Sequence, residues 1–226
     1  MVSKTWRAAW ILLVVALAGC GGAGPGDPPA ASAAAGRTEG LQKLLAEGAG
    51  ESAKNGALIA AARAGRAEAI SILLRSGADP NHHAGRNDWT PLMHAIHKNQ
   101  KRSVEALLDG GADVNAKNNA GMTALMMAAG YGYADIVREL LARGADPYAE
   151  AGNGANSLAV AVGGVPDIDR FTVCSCQTET VQALLERAPD LKLKGNWVGR
   201  SALWFARLGR CSDVLRLLEG QKAAGA

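Results

Sequence analysis

The chain has 226 residues, 48% of them hydrophobic, and a formal charge of +3 from 24 basic against 21 acidic side chains. Two of the bases, Lys4 and Arg7, precede a long apolar run, and without them the charge falls to +1. So slight a balance excludes the clustered basic face that nucleic-acid binding needs, and no nucleic-acid partner is expected.

Residues 1–19 read as a leader. MVSKTWR carries the two bases, and AAWILLVVALAG then runs without charge to Gly19. That run is short for a spanning helix, which needs about 20 apolar residues. It closes in Leu17-Ala18-Gly19-Cys20. The junction resembles the lipobox of bacterial lipoprotein signal peptides. The resemblance implies that Cys20 becomes the first mature residue and carries the lipid, a diacylglycerol thioether of the palmitate-bearing kind. An uncleaved N-terminal anchor is the rival reading. Gly21, rather than Asp, follows the cysteine, which in such families favours an outer-membrane anchor facing the periplasm. Residues 20–36 hold three prolines, many small residues and one charge. They are expected to form a flexible tether, having too little apolar area to offset the entropy of ordering.

From 37 to 220 the chain repeats itself. Gly-Ala-Asp occurs at Gly77, Gly111 and Gly144, at intervals of 34 and 33 residues. Aligned on the apolar step, unit starts fall at Gly56, Thr90, Thr123, Asn156 and Ser201. A period of this size is the mark of stacked units. The unit GMTALMMAAGYGYADIVRELLARGADPYAE predicts two short helices, the first through Leu125, Met126 and Ala129, the second with its stripe at Ile136, Val137, Leu140 and Leu141. Thr123 suits the helix start as an N-cap, and Gly144 suits a left-handed stop. Two helices cannot bury such a stripe alone, so neighbouring units must stack.

These residues resemble the ankyrin repeat family, whose T-P-L-H-x-A-A and G-A-D-V-N signatures are echoed by Thr90-Pro91-Leu92 and Gly111-Ala112-Asp113-Val114-Asn115. The resemblance implies an all-α solenoid of helix-turn-helix units with hairpin loops. LQKLLAEGA, from Leu41, resembles the second helix of a degenerate leading unit. The family's histidine at the fourth signature position is replaced by Met93 and Met126. Between Asn156 and Ser201 the interval stretches to 45 residues. Gly163, Gly164 and Pro166 place the excess in an inserted loop at about 163–177. Residues 221–226 are expected to fray.

The resemblance also implies that hairpin tips and inner helices form a concave face for another protein. Carried across unit by unit, the contact positions are His82, His83, Arg86 and Trp89 at one tip and Lys117 and Met122 at the next. Tyr148 is the contact at the third tip, with His94, His97, Lys98, Met127 and Tyr131 on the inner helices. Trp89 is expected to anchor a partner, as interface aromatics do, unless it closes over the neighbouring tip. The four histidines lie between His82 and His97 without a completing carboxylate or cysteine set, so no metal and no cofactor are expected. With Cys20 lipidated, three cysteines remain, Cys174, Cys176 and Cys211. An odd number leaves one free or paired between chains, and a bond from Cys211 to the insertion is the favoured pairing, with zinc binding as the rival. No nucleophile elbow, phosphate loop or metalloprotease motif occurs, so no enzyme is expected. The functional expectation is a membrane-tethered module that binds a cell-envelope protein. The alternatives are an inhibitor or immunity-like factor masking a periplasmic enzyme, and a metal-binding protein or enzyme.

Overall fold

A computed structural model describes residues 29–164, 176–194 and 196–223. The leader, Cys20, the first half of the expected tether, most of the insertion with Cys174, and residues 224–226 lie outside the described residues. Helices pair along the chain as α1 (Pro29–Ala35) with α2 (Thr38–Ala46), α3 (Glu51–Ala64) with α4 (Ala67–Arg75), and α5 (Pro91–His97) with α6 (Lys101–Asp109). The pairs continue as α7 (Ala124–Tyr131) with α8 (Ala134–Ala142), α9 (Ser157–Gly163) with α10 (Thr178–Arg187), and α11 (Trp197–Leu208) with α12 (Ser212–Ala223). Odd-numbered helices stack on one another in sequence, and so do even-numbered ones, giving an inner and an outer row. Among the described residues the only β pairing is two isolated bridges, Ala84 with Trp89 and Lys117 with Thr123. The molecule is an all-α repeat solenoid.

The caps explain where helices begin. The Thr90 hydroxyl accepts the Met93 amide at 3.3 Å, and the Thr123 hydroxyl accepts the Met126 amide at the same distance. Asn156 and Asn196 do the same through their side-chain oxygens, to Ala159 at 2.9 Å and Gly199 at 3.0 Å. Each satisfies an amide that the helix's first turn leaves without a partner. Pro91 occupies the first helical position, where its missing amide costs nothing.

Every letter of the Gly-Ala-Asp motif has a task. Gly77, Gly111 and Gly144 take positive φ of 84°, 88° and 87°, which ends the outer helix in a left-handed turn. The alanine amide then returns to the helix, as from Ala145 to the Leu140 carbonyl at 2.9 Å. The aspartate joins units together. The Asp79 amide donates to Asn55 Oδ1 at 2.8 Å, that of Asp113 to Asn81 at 2.7 Å, and that of Asp146 to Asn115 at 2.8 Å. Each aspartate carboxylate also accepts the amide two residues on, at Asn81, Asn115 and Tyr148. An asparagine ladder thus runs from unit to unit, beside a core in which Leu73, Leu107, Leu140 and Leu184 of the outer row are fully buried.

Three expectations are corrected. The tether does not extend to residue 36, because Pro29–Ala35 is helical and Ser32 and Ala33 are fully buried where α1 meets α3. A run of small residues resembles a linker, yet alanine is the strongest helix former, and its size lets two helices approach closely. Gly56 and Ser201 are not helix starts: α3 begins at Glu51 and α11 at Trp197, more than a turn upstream in one case and a full turn in the other. Asn55, two percent exposed inside that extra turn, is the first rung of the ladder. The chain is helical through Ala223, so fraying does not begin at 221.

Candidate functional site

The concave side is built from the inner helices and the tips before them. At the first complete tip, Ala84 and Trp89 exchange both backbone hydrogen bonds at 3.0 Å. This aims the Trp89 ring back onto α5, with centroids 5.4 Å from His94 and 5.1 Å from His97. His97 Nδ1 lies 2.9 Å from the Tyr131 hydroxyl on α7, and the Tyr131 and Tyr133 rings are 5.5 Å apart. A continuous row of rings therefore crosses from one unit to the next. Burial foremost, and then the nearby charges of Arg63, His97 and Lys98, together push the His94 imidazole down from 6.5 to about 4. His94 is neutral at pH 7, and Arg63 of α3 and Lys98 at the end of α5 are both near enough to act on it electrostatically.

The expected contact residues divide on inspection. Met127 and Tyr131 are 3% and 8% exposed and belong to the core, so Met127 offers no contact surface and Tyr131 only its rim. A helix followed by a close-packed neighbour buries this face too, which unit-by-unit transfer ignores. Trp89 and Met122 are partly buried against the core rather than standing free. His83 Nδ1 lies 3.1 Å from the Asp88 carboxylate, while the Arg86 carbonyl accepts from Asn119 Nδ2 at 3.0 Å. His82 is part-exposed beside them, and its amide donates to the Asp79 carbonyl at 3.3 Å. Lys117 Nζ donates to the Glu150 carbonyl at 3.3 Å. Tyr148, 49% exposed, stands where the ladder asparagine would be, and its hydroxyl donates to Asp190 in the next unit. That hydrogen bond raises the phenol above its usual range.

Cys176 is disulfide-bonded to Cys211, tying the insertion's exit to the start of α12. Cys174 lies outside the described residues. Among the described residues no three His, Cys, Asp or Glu side chains gather as metal ligands would. No described helix is long and apolar enough to cross a membrane.

Sequence reasoning missed one feature of the face. Between the tip at Ala151–Asn153, α9 and α11 lies a groove of about 720 Å³. Met122, Val160, Trp197, Val198 and Phe205 line it, and no charged side chain does. Trp197 is 62% exposed at its edge. The signal was the unit's unusual first turn, Trp197-Val198, with Phe205 two turns on. Alignment on Ser201 placed that turn outside the helix.

Helical carboxylates are divided unevenly between the rows, although Glu51 opens α3 of the inner row and bases occur on both. Helices α5, α7, α9 and α11 contain no aspartate or glutamate, whereas every outer helix from α2 to α12 contains at least one.

The family model described as ankyrin repeats (3 copies) matches residues 30–118 and 58–151, more than half of the chain. Mitochondrial disaggregase of Bos taurus is 33% identical over 153 residues, 57% of this chain and 22% of that protein. An E3 ubiquitin-protein ligase, XBAT33, of Arabidopsis thaliana is 46% identical over 52 residues, 23% of this chain and 10% of its own. A putative ankyrin repeat protein of Acanthamoeba polyphaga mimivirus is 40% identical over 75 residues, 32% of this chain and 46% of that protein. The chain thus spans about a fifth of the length of the disaggregase and under half of the viral protein. It belongs to the ankyrin repeat family, and its repeats make it a protein–protein interaction module.

Proposed function

We propose that the protein is anchored to a bacterial cell envelope by a lipid on Cys20 and binds an envelope protein through its concave face. The observation that carries the binding half is the sorting of the two faces. Rings and an apolar groove collect on the inner row and its tips, and helices α5, α7, α9 and α11 carry no carboxylate, whereas every outer helix carries at least one. A partner that must lose water on docking meets the face with fewer carboxylates to desolvate. The Cys176–Cys211 disulfide supports an oxidising compartment, because cytosolic thiols are kept reduced. The basic and apolar leader ending in Leu17-Ala18-Gly19-Cys20 supports the anchor.

The test is capture from a bacterial envelope extract by the full chain, by Arg63→Glu/Lys98→Glu on the concave side, and by Glu105→Lys/Asp135→Lys on the outer row. Loss of the captured protein with the concave pair alone supports the reading. Loss with the outer pair alone overturns it. For the anchor, mass spectrometry of membrane-extracted protein should find a lipid on Cys20, and an intact Met1 or an unmodified Cys20 overturns that half.

A further inference from the structure

The groove between α9 and α11 is unlike the rest of the concave face. Its walls are uncharged and mostly apolar, with Asn153 and Ser201 as the polar side chains among them, and the exposed Trp197 indole forms its rim. Toward the N-terminal end the same face turns basic, with Arg63 and Lys98 around His94. Lys117 lies between the two regions at the tip beside Met122, its Nζ held by the Glu150 carbonyl. No carboxylate stands on α5, α7 or α9, the helices between these ends. The tip carboxylates Asp88 and Glu150 are paired with His83 and Lys194, so the face offers Arg63, Lys98 and Lys117 as its cations on the way to an apolar recess.

We infer that the partner segment is an extended acidic stretch followed, some residues away, by one bulky apolar side chain that fills the groove. This rests on the concave-face reading above and names the chemistry of what binds there. The spacing follows from the fold. Helix axes in contact are about 8–10 Å apart, so the path from α5 past α7 and α9 to the groove is about 20–25 Å. An extended chain advances about 3.3–3.6 Å per residue, which separates acid and anchor by about six to eight residues. The recess lies between two helices and below a hairpin tip, where a side chain enters and a lipid bilayer's flat surface does not. That geometry favours a peptide over a membrane bearing anionic headgroups, although both would supply negative and apolar groups.

The experiment uses four fluorescein-labelled synthetic peptides and the full-length protein, read by fluorescence anisotropy. The first peptide has four glutamates, a seven-residue Gly/Ser spacer and a tryptophan. The others replace tryptophan by alanine, the glutamates by lysines, or the spacer by two residues. The first should bind at least about tenfold tighter than each control, the scale expected from one buried anchor or a complementary set of charges. Trp197→Ala should weaken it by about tenfold, and Ser201→Trp, which narrows the groove from a part-exposed site, by a similar factor. Both variants should keep the wild-type melting temperature within a few degrees, and two independent variants guard against one misfolding.

Equal affinity for the lysine peptide, or indifference to both groove variants, overturns the inference. So does stronger binding to phosphatidylglycerol vesicles that the same variants abolish, or sedimentation showing a dimer that Trp197→Ala dissolves and that excludes the peptide. If the peptides fail while the envelope protein is still lost with Arg63→Glu/Lys98→Glu, the segment chemistry is wrong and the binding face stands. If neither peptide nor envelope protein depends on the concave residues, both readings fall.

Discussion

His94 lies between a tryptophan and three cationic or ionisable neighbours, and its depressed pKa sets a direction for stability. The unfolded chain takes up a proton near pH 6.5, the folded ring only near 4. Between those values the unfolded state binds more protons, so stability falls as pH drops from about 6.5 to about 4 and levels off below. The full shift corresponds to at most about 3 kcal/mol, and less for a ring that keeps some exposure. Denaturant unfolding across that window, compared with His94→Gln, should show the slope in the wild type and its reduction in the variant. Trp89→Ala should remove part of the burial, moving the His94 titration up toward 6.5 in NMR. It should also cost about 1–3 kcal/mol, since the indole packs on α5. An unchanged His94 titration would show that the indole does not shield the ring. The ladder is testable at the same scale: Asn115→Ala removes the acceptor of the Asp146 amide and should cost about 1 kcal/mol. A variant as stable as wild type would show that water replaces the rung without loss.

At the scale of elements, what could be read in advance depended on whether a helix signals its own ends. α5 and α7 do, through Thr90 and Thr123, and their register is plain in the sequence. α1 does not. PAASAAA has no charge and no large apolar residue, and only contact with α3 distinguishes it from a tether. α11 misled for the opposite reason. Ser201-Ala202-Leu203 imitates a unit start, but the capping asparagine lies a full turn earlier, at Asn196. The groove depends on that extra turn and was hidden with it. The disulfide was open among three cysteines because spacing alone does not choose a partner; the position of Cys211 beside the insertion's exit does.

Two predictions belong at the element scale. Starting the chain at Arg37 removes α1 and uncovers α3, so the truncated protein should melt lower than the full chain. Hydrogen exchange should rise first in α3. If α3 stays equally protected, α1 is only resting on the stack. Cys211→Ser opens a loop with a sequence separation of 35 residues. Loop-closure entropy puts the loss at about 4 kcal/mol, less where the reduced state retains structure. Because units interact only with their neighbours, the loss should concentrate in α10 to α12, leaving α5 to α8 protected. Uniform loss of protection would mean that the stack unfolds as one unit.

For the whole molecule, the central claim is that two parallel rows of helices divide the labour. Both rows share the leucine core, the outer row carries most of the helical carboxylates, and recognition is proposed for the inner row. The repeat made the rows visible in the sequence, whereas the face's detailed chemistry emerged only when neighbouring units met, as His97 meets Tyr131 across units. The most direct measurement is a hydrogen-exchange footprint of the full chain with and without its captured envelope protein. The account predicts new protection in α5, α7, α9, α11 and the tips before them, with α4, α6, α8 and α10 unchanged. Protection confined to the outer helices would contradict it.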